Sequence, residues 1–376
     1  MKIKRVYDNL GELIEPNKVL IIYGPRRIGK TTMIQQFLER TKLRYRFDTG
    51  EDIRIQEVLS SQNLDFIRDF VGNHELIVID EAQNVPEIGL GLKLMVDHIP
   101  DIKVIATGSA SFDLANKVGE PLVGRKWTKI LYPLSQRELI DHQSKYDVTR
   151  NLEQYLIFGS YPEVLTAPDS ARKRNVLEEI ASAYLLRDIL AIEQVKSSKL
   201  LVDLLKLLAF QIGNEVSHSE LGSQLGIDKK TVARYLDLLE KTFVIVAVPP
   251  YSRNLRKAIS KKNKYYFVDN GIRNAVINNY NNLDTRNDQD QLWENFLVVE
   301  RLKKQAYNQI YANNYFWRTY DQKEIDWVEE REGKIFGFEF KWQKRDSKNK
   351  AYWLESYPSE AVFELVNKEN YLEFVS

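Results

Sequence analysis

The chain has 376 residues, of which 43% are hydrophobic, and 54 basic against 53 acidic side chains give a net charge of +1. This length and composition support two or three domains with sizeable cores, while the balanced charge excludes any conclusion about partners from global charge. The absence of cysteine excludes disulfides, zinc–thiolate sites and a cysteine nucleophile. The polar N-terminus and the lack of a long apolar run lead us to expect a cytoplasmic protein without membrane contact.

The first predicted strand leads into a phosphate-binding loop. The segment KVLIIYGPRRIGKTT predicts a buried strand over 19–23, a turn, and a helix from Lys30. Its turn follows the pattern GxxxxGK[ST], in which glycines let backbone N–H groups wrap a phosphate, the lysine reaches the β- and γ-phosphates and the threonine offers a hydroxyl to Mg²⁺. The predicted nucleotide-binding residues are Gly24, Pro25, Arg26, Arg27, Ile28, Gly29, Lys30, Thr31 and Thr32.

Two later strands are predicted to bring further groups to the same edge of a parallel sheet. The strand in ELIVIDEAQ ends in Asp80 and Glu81, and ligands of such sheets bind at the carboxyl ends of the strands. We expect Asp80 to contribute to the Mg²⁺ shell and Glu81 to deprotonate the attacking water. The strand in KVIATGSAS ends with Thr107 and Ser109, where a hydroxyl is predicted to sense the γ-phosphate, although Ser and Thr also cap helices.

Arginines near these motifs are candidates for stabilising transition-state charge. They are Arg26 and Arg27 in the loop and Arg125 in LVGRKW. We predict that Arg125 is catalytic together with Lys30 and Glu81. No NKxD-type guanine signature follows the loop, which favours ATP over GTP.

The segments GPRRIGKTT, VIDEAQ, ATGSAS and YPLSQREL together resemble the AAA-type ATPase of many bacterial and archaeal proteins. Those proteins carry a C-terminal domain related to PD-(D/E)xK nucleases. The resemblance extends over nearly the whole chain and implies an α/β fold with ATP and Mg²⁺ as cofactors. It predicts a P-loop AAA-type ATPase core, a helical lid, a winged helix with a basic segment, and a PD-(D/E)xK nuclease-like α/β domain, at 1–135, 136–212, 213–264 and 265–376.

The segment SHSELGSQLGIDKKTVARYLDLLEKTFVIVAVPP predicts two helices and a strand. Ser217 with Glu220 forms a capping box, Gly226 turns the chain, and Asp228 caps the second helix. The β-rich stretch 243–248 follows as the wing. This order is typical of a winged helix-turn-helix.

Basic residues on and after the second of these helices predict DNA contact, because phosphates attract clustered lysine and arginine. They are Lys229, Lys230, Arg234, Arg253, Arg256, Lys257, Lys261, Lys262 and Lys264. AAA-type proteins also use this module to pack subunits, so a homo-oligomer is the alternative partner.

The C-terminal segment EIDWVEEREGKIFGFEFKW predicts a β-hairpin with a two-residue turn at Glu332 and Gly333. This turn pairs Trp327 with Phe338 on an apolar face. The alternation of aromatic and polar residues in IFGFEFKW fits an ordinary half-buried strand, whose polar face would be wet.

The same register places Asp326 opposite Glu339, and Glu324 opposite Lys341. Two facing carboxylates repel each other unless a cation lies between them, which favours a metal site. The alternative is that Lys341 is only the ion-pair partner of Glu324.

The resemblance to PD-(D/E)xK folds implies that Asp326 and Glu339 bind Mg²⁺ and that Lys341 positions or activates water. It also implies a glutamate from an earlier helix, matched by Glu294 in QLWENFLVVERLKK, while Ile325 stands where the family name has proline. The leading hypothesis is an ATP-hydrolysing protein that acts on nucleic acid, and a nucleotide-controlled nuclease is one form of this hypothesis. The alternative is an ATP-gated switch whose inert C-terminal fold holds a partner.

Overall fold

The structure is a computed structural model, and the residues that it describes are 3–109, 121–183, 198–253, 262–343 and 346–376. They cluster into two compact units. The first unit runs to Pro133 and includes Lys241–Phe243, and the second comprises Leu134–Glu240 and Val244–Ser376. No helix among the described residues is long and apolar enough to cross a membrane.

The first unit is built on a parallel sheet of five strands in the order β2-β3-β4-β1-β5. The strands are β1 (Lys18–Tyr23), β2 (Tyr45–Thr49), β3 (Leu76–Asp80), β4 (Lys103–Gly108) and β5 (Lys126–Ile130). Strands β1, β3 and β4 are almost wholly buried, as their continuous runs of Val, Ile and Leu predict for a sheet covered on both faces.

The helices of the first unit pack onto this sheet through apolar residues such as Ile67, Leu92 and Met95. They are α1 (Lys30–Leu38), α2 (Ile53–Ser60), α3 (Leu64–Val71) and α4 (Ile88–His98). Short 3₁₀ turns lie at Leu10–Glu12, before β1, and at Ala82–Asn84, after β3. The unit is therefore an α/β layer structure with a parallel sheet, consistent with the AAA-like core expected from the sequence.

The second unit begins with helices over the described part of the segment predicted to be helical. They are α5 (Gln136–Ile140), α6 (Lys145–Arg150), α7 (Leu152–Phe158), α8 (Pro162–Thr166), α9 (Ser170–Ala183) and α10 (Ser198–Phe210). Two more helices and a hairpin follow: α11 (His218–Leu225), α12 (Lys229–Lys241), and the antiparallel strands β6 (Ile245–Val248) and β7 (Lys264–Phe267).

The C-terminal part holds a second sheet, in the order β11-β10-β9-β8, in which only β10 and β11 among these neighbours run parallel. Its strands are β8 (Asn313–Arg318), β9 (Glu324–Arg331), β10 (Lys334–Phe340) and β11 (Ala361–Val366). The accompanying helices are α13 (Asn270–Val276), α14 (Gln289–Asn308), α15 (Lys350–Ser356) and α16 (Tyr371–Val375), with a 3₁₀ turn at Leu283–Thr285.

The predicted hairpin turn is correct. Glu332 and Gly333 have φ of +53° and +73°, which suits a tight turn between β9 and β10, and Trp327 pairs with Phe338. Phe338 lies 4.8 Å from the ring of Phe374, and on the other face a Cβ at Gly337 would contact the Trp353 ring. Because both faces of β10 are covered, the expectation of a half-buried strand with a wet polar face is wrong.

A buried ion pair joins α14 to this sheet. The Arg301 guanidinium donates to both Glu329 carboxylate oxygens, at 2.6 and 2.9 Å, and to the Phe374 carbonyl oxygen at 2.7 Å. The Glu329 side chain is wholly buried. Removing one partner of such a pair leaves a buried charge uncompensated, which costs far more than an exposed pair contributes.

We predict that Arg301→Met lowers the free energy of unfolding of the second unit by about 3–5 kcal/mol. Urea denaturation followed by tryptophan fluorescence measures this, since the second unit contains every tryptophan of the chain except Trp127. The matched control is Arg253→Met, because Arg253 and Glu360 form an exposed pair at 2.9 Å that should contribute less than about 1 kcal/mol. Equal effects of the two substitutions would contradict the prediction.

Candidate functional site

The loop after β1 has the backbone that its glycines predict. Gly24 and Gly29 have φ of +150° and +91°, values that side chains rarely allow. A Cβ on Gly24 would lie 1.9 Å from the Leu131 carbonyl oxygen, so only glycine fits there. Ile28 is wholly buried and anchors the loop to the core of the first unit.

A buried positive charge lies in this loop. Lys30 is the first residue of α1 and is 5% exposed, and its Nζ donates to the Gly24 and Pro25 carbonyl oxygens at 2.9 and 2.8 Å. The N-terminus of α1 adds its own partial positive charge at the same place. A helix N-terminus, a glycine loop and a lysine together favour a bound phosphate.

Asp80 connects the ends of three elements at the carboxyl edge of the sheet. Thr31 Oγ1, in α1, donates to Asp80 Oδ2 at 2.7 Å, and the Thr107 hydroxyl at the end of β4 donates to Asp80 Oδ1. A hydroxyl and a carboxylate in contact are the oxygen ligands that Mg²⁺ takes beside a nucleotide, so these residues fit the ion. Thr31 and Asp80 would hold it.

Glu81 follows directly and is fixed by two contacts. Its backbone has φ of +48°, its N–H donates to Thr107 Oγ1 at 3.2 Å, and its carboxylate accepts a hydrogen bond from the Gln83 amide. The left-handed backbone turns the side chain away from the direction that a continued strand would give it. Gln83 was not among the predicted site residues, although it lies in the VIDEAQ segment.

The remaining predicted nucleotide contacts differ in their surroundings. Arg26 is half-buried, Arg27 is exposed with φ of +60°, and Thr32 is exposed on α1. Ser109 is 3% exposed just after β4, next to the buried Thr107–Asp80 contact. The structure thus places the loop, Asp80, Glu81 and Ser109 at one edge of one sheet.

Arg125 does not join them, which corrects its prediction as a catalytic residue. It precedes β5, and its carbonyl oxygen accepts from Val19 N–H at the start of β1, whereas the loop follows the end of β1. The ends of the six-residue strand β1 are about 17 Å apart. Arg125 instead forms an ion pair with Asp97 near the C-terminus of α4.

Arg5 is a contact that sequence reasoning missed. Its guanidinium is 6% exposed and donates to the Ile28 carbonyl oxygen in the loop and, at 2.6 Å, to the Tyr132 carbonyl oxygen. The side chain therefore holds the loop backbone against the segment that follows β5. Its partners lie 23 and 127 residues away along the chain, and no local motif marks such a contact.

The second predicted site lies in the C-terminal sheet, where the register changes. The β9–β10 ladder ends at the pair Trp327–Phe338, and β8 and β9 shift register beside it. Instead of continuing the ladder opposite Glu339, Asp326 uses its carboxylate to accept the Phe340 N–H at 2.7 Å. The predicted direct pairing of Asp326 with Glu339 is therefore not part of the ladder.

The lysine partners also differ from those predicted. Lys341 lies 3.0 Å from Glu339, which also accepts the Ser347 hydroxyl, so Lys341 is not the ion-pair partner of Glu324. Glu324 contacts Lys264 and, at 3.7 Å, Arg318. The prediction that Glu324 pairs with Lys341 is wrong because Lys264, on β7, lies in contact with Glu324. Strand β7 is not part of the hairpin from which the pairing follows.

Glu294 on α14 contacts the same lysine, Lys264, as Glu324 does. Its Oε1 accepts from the Tyr266 hydroxyl at 2.7 Å and from Lys264 Nζ at 3.1 Å. Burial and the charge of Glu294 raise the pKa of Asp326 to about 8, against the opposite effect of Lys264. Burial lowers the pKa of Lys264, but the surrounding carboxylates outweigh it and leave that pKa above its ordinary value.

These residues do not fit Mg²⁺ as they stand. Glu294 and Glu324 share the Lys264 ammonium, Glu339 accepts from Lys341 and Ser347, and Asp326 accepts a backbone N–H. No group of three or more potential ligands arranged for a metal ion occurs in the part of the chain that the structure describes. Protein cations and hydrogen-bond donors therefore already engage the carboxylates that the resemblance assigns to a metal ion.

Comparisons with known proteins match three successive parts of the chain. Residues 16–140 match the family model described as AAA domain, while 149–283 and 289–370 match two domains of unknown function, DUF8612 and DUF4143. The N-terminal part is thus a P-loop ATPase-like AAA domain.

Similar proteins occur in bacteria and in an archaeon. "Uncharacterized protein Rv2008c" of Mycobacterium tuberculosis is 26% identical over 86% of this chain and 70% of its own. An "Uncharacterized protein" of Haemophilus influenzae is 25% identical, over 84% and 80% respectively. "Uncharacterized protein MJ1544" of Methanocaldococcus jannaschii is 22% identical, over 83% and 72%. The likeness therefore spans most of the chain.

Proposed function

We propose that this protein binds and hydrolyses ATP at the loop after β1. The contact that carries the proposal is the 2.7 Å hydrogen bond from Thr31 Oγ1 to Asp80 Oδ2, which joins two motifs 49 residues apart in sequence. In this proposal Lys30 would contact the β- and γ-phosphates, and Thr31 and Asp80 would hold Mg²⁺. When bound, the ion neutralises charge on the phosphates.

Glu81 is the base for the attacking water in this proposal. Glu81 comes directly after Asp80, the last residue of β3. The Gln83 amide donates to the Glu81 carboxylate and holds it in one orientation. A carboxylate in a fixed position can both orient a water molecule and take its proton. The Thr107 hydroxyl links this residue to Asp80, so the base and the metal ligand are positioned together.

We predict that Lys30→Ala removes ATP binding, because it deletes the buried phosphate cation, and that Glu81→Gln retains ATP but slows hydrolysis by about 10²–10⁴-fold. Calorimetric titration and phosphate release measure the two effects. Lys42→Ala, which alters an exposed lysine of the same unit, serves as the control. Hydrolysis by Glu81→Gln at the wild-type rate would overturn the assignment of the base.

We further propose that the ATPase acts on nucleic acid held by a winged helix made of α10, α11, α12 and the hairpin β6–β7. The order of these elements supports the proposal, as do their caps: Ser217 accepts the Glu220 N–H, and Asp228 accepts the Lys230 and Thr231 N–H groups. The exposed residues Lys229, Lys230 and Arg234 occupy the first turns of α12. A helix with this charge suits a DNA groove.

The described residues of the basic segment offer fewer contacts to DNA than their sequence predicts. Arg253 and Lys262 are exposed, and Arg253 is paired with Glu360. Lys264 is wholly buried, so its prediction as a phosphate contact is wrong. Arg256, Lys257 and Lys261 lie outside the described residues.

We predict that changing Lys229, Lys230 and Arg234 to glutamate weakens DNA binding and reduces the slope of log K against log salt by about 3. Fluorescence anisotropy with a labelled duplex measures both. The control makes the same charge change at the exposed residues Lys145, Arg150 and Arg172 of the same unit. If wild-type protein shows no DNA association at low salt, the module packs against protein instead.

Cleavage of nucleic acid is not part of the proposed function. The carboxylates that the resemblance assigns to Mg²⁺ are engaged by Lys264, Lys341 and hydrogen-bond donors. This supports the alternative in which the C-terminal domain is an inert fold attached to an ATP-gated binding switch. Incubation with DNA and RNA, with and without ATP and Mg²⁺, should leave both intact.

A further inference from the structure

Lys264 is the central cation of the C-terminal carboxylate group. It belongs to β7, and its side chain is 0% exposed. Its Nζ lies 3.1 Å from Glu294 Oε1 and in contact with a Glu324 oxygen. It also lies 5.2 Å from the centre of the Phe316 ring, which contributes an apolar boundary. An ammonium in this position is a point charge shared between acids.

The acids around it come from two other elements. Glu294 belongs to α14, and Glu324 and Asp326 belong to the start of β9. Asp326 stands two residues after Glu324 on the same strand, so the two side chains lie on the same face of β9. Carboxylates that converge from separate elements are the usual ligands of a hard divalent cation, and here a lysine side chain reaches the place where they meet.

The surroundings leave Glu294 little room for another ligand. A Cβ on Gly213 would lie 2.8 Å from Glu294 Oε2, so the Gly213 backbone closes over that oxygen. The other oxygen already accepts from Tyr266 and Lys264. The backbone at Gly213 has φ of +77°, a conformation that suits glycine at this close approach.

We infer that Lys264 is an internal counter-ion that takes the place of a divalent cation in the group formed by Glu294, Glu324 and Asp326. The C-terminal domain then keeps the carboxylates of a metal centre while the strand β7 closes it to metal. A buried charge of this kind is stable only with opposite charges beside it, so carboxylates and lysine depend on one another. This inference is independent of ATP binding in the first unit.

The lysine also explains how a non-cutting centre can retain acidic residues. Without a cation, three neighbouring carboxylates would repel one another and pay for desolvation. With Lys264, whose Nζ contacts both Glu294 and Glu324, they hold β7 to α14 and to β9. The acids are therefore part of the packing of the second unit, and their presence alone does not predict cleavage.

The test measures Mn²⁺ binding to the full-length protein without nucleotide. Electron paramagnetic resonance detects the bound Mn²⁺. We expect Lys264→Met to bind about one more Mn²⁺ per chain than the wild type, because the Glu294 and Glu324 oxygens that Lys264 contacts are released beside Asp326. Adding Glu294→Gln to Lys264→Met should remove the extra ion. Lys264→Arg, which keeps the cation, and Lys262→Met, which changes an exposed lysine of the same segment, should not gain it.

Two results would overturn the inference. One is a Mn²⁺ ion in the wild type that Glu294→Gln or Asp326→Asn removes, since the group would then be an open metal site. The other is no gain of Mn²⁺ in folded Lys264→Met. If that variant does not fold, Lys264→Met combined with Glu324→Gln carries one repelling charge fewer and decides the matter: a gain of Mn²⁺ that Asp326→Asn abolishes supports the inference, and no gain refutes it.

Discussion

The proposed nucleotide site depends on one buried carboxylate, Asp80, and on the strand order that surrounds it. Strand β4 lies between β1 and β3, so Thr107 at its end can donate to Asp80 while Thr31 donates from α1. A parallel sheet brings the ends of all these strands to one edge. If β3 lay directly beside β1 in the sheet, the Thr107 hydroxyl that links Asp80 to Glu81 would be absent. The arrangement of the proposed metal ligand and the proposed base thus follows from topology as much as from the motif.

In the second unit, buried ion pairs set the positions of the elements. Among the described residues, the buried cations Lys264, Arg273, Arg301 and Lys303 each contact a carboxylate. Such pairs contribute little net stability compared with apolar packing, but they strongly disfavour any arrangement that separates the partners. Helices α13 and α14, the hairpin β6–β7 and the C-terminal sheet are therefore held in defined positions, and the same kind of interaction neutralises the group of acids at Glu294.

Local signals in the sequence predicted what local physics controls. The glycine-rich loop, the caps at Ser217 and Asp228, and the turn at Glu332 and Gly333 each depend on neighbouring residues. The pairing of Trp327 with Phe338 followed from that turn. One residue further, the register shift beside Trp327 ended the ladder, and no pattern in the segment marks that shift.

Contacts between distant segments could not be predicted in this way. Arg5 reaches the loop backbone from before the first strand, and Lys264 reaches Glu294 and Glu324 from another hairpin. Lys264 stands in a basic run, which predicts a phosphate contact, yet β7 turns it into the interior. Arg125 stands near the motifs in sequence, which predicts a place in the site, while the parallel pairing of β5 with β1 puts it at the opposite edge.

The most direct test of this account is a crystal structure with Mn²⁺ and a non-hydrolysable ATP analogue, in which anomalous scattering locates every bound Mn²⁺. The account predicts the analogue in the loop after β1, with a Mn²⁺ beside Thr31 and Asp80, and no Mn²⁺ at Glu294, Asp326 or Glu339. A Mn²⁺ among those C-terminal carboxylates, or a loop that leaves the analogue unbound, would contradict it.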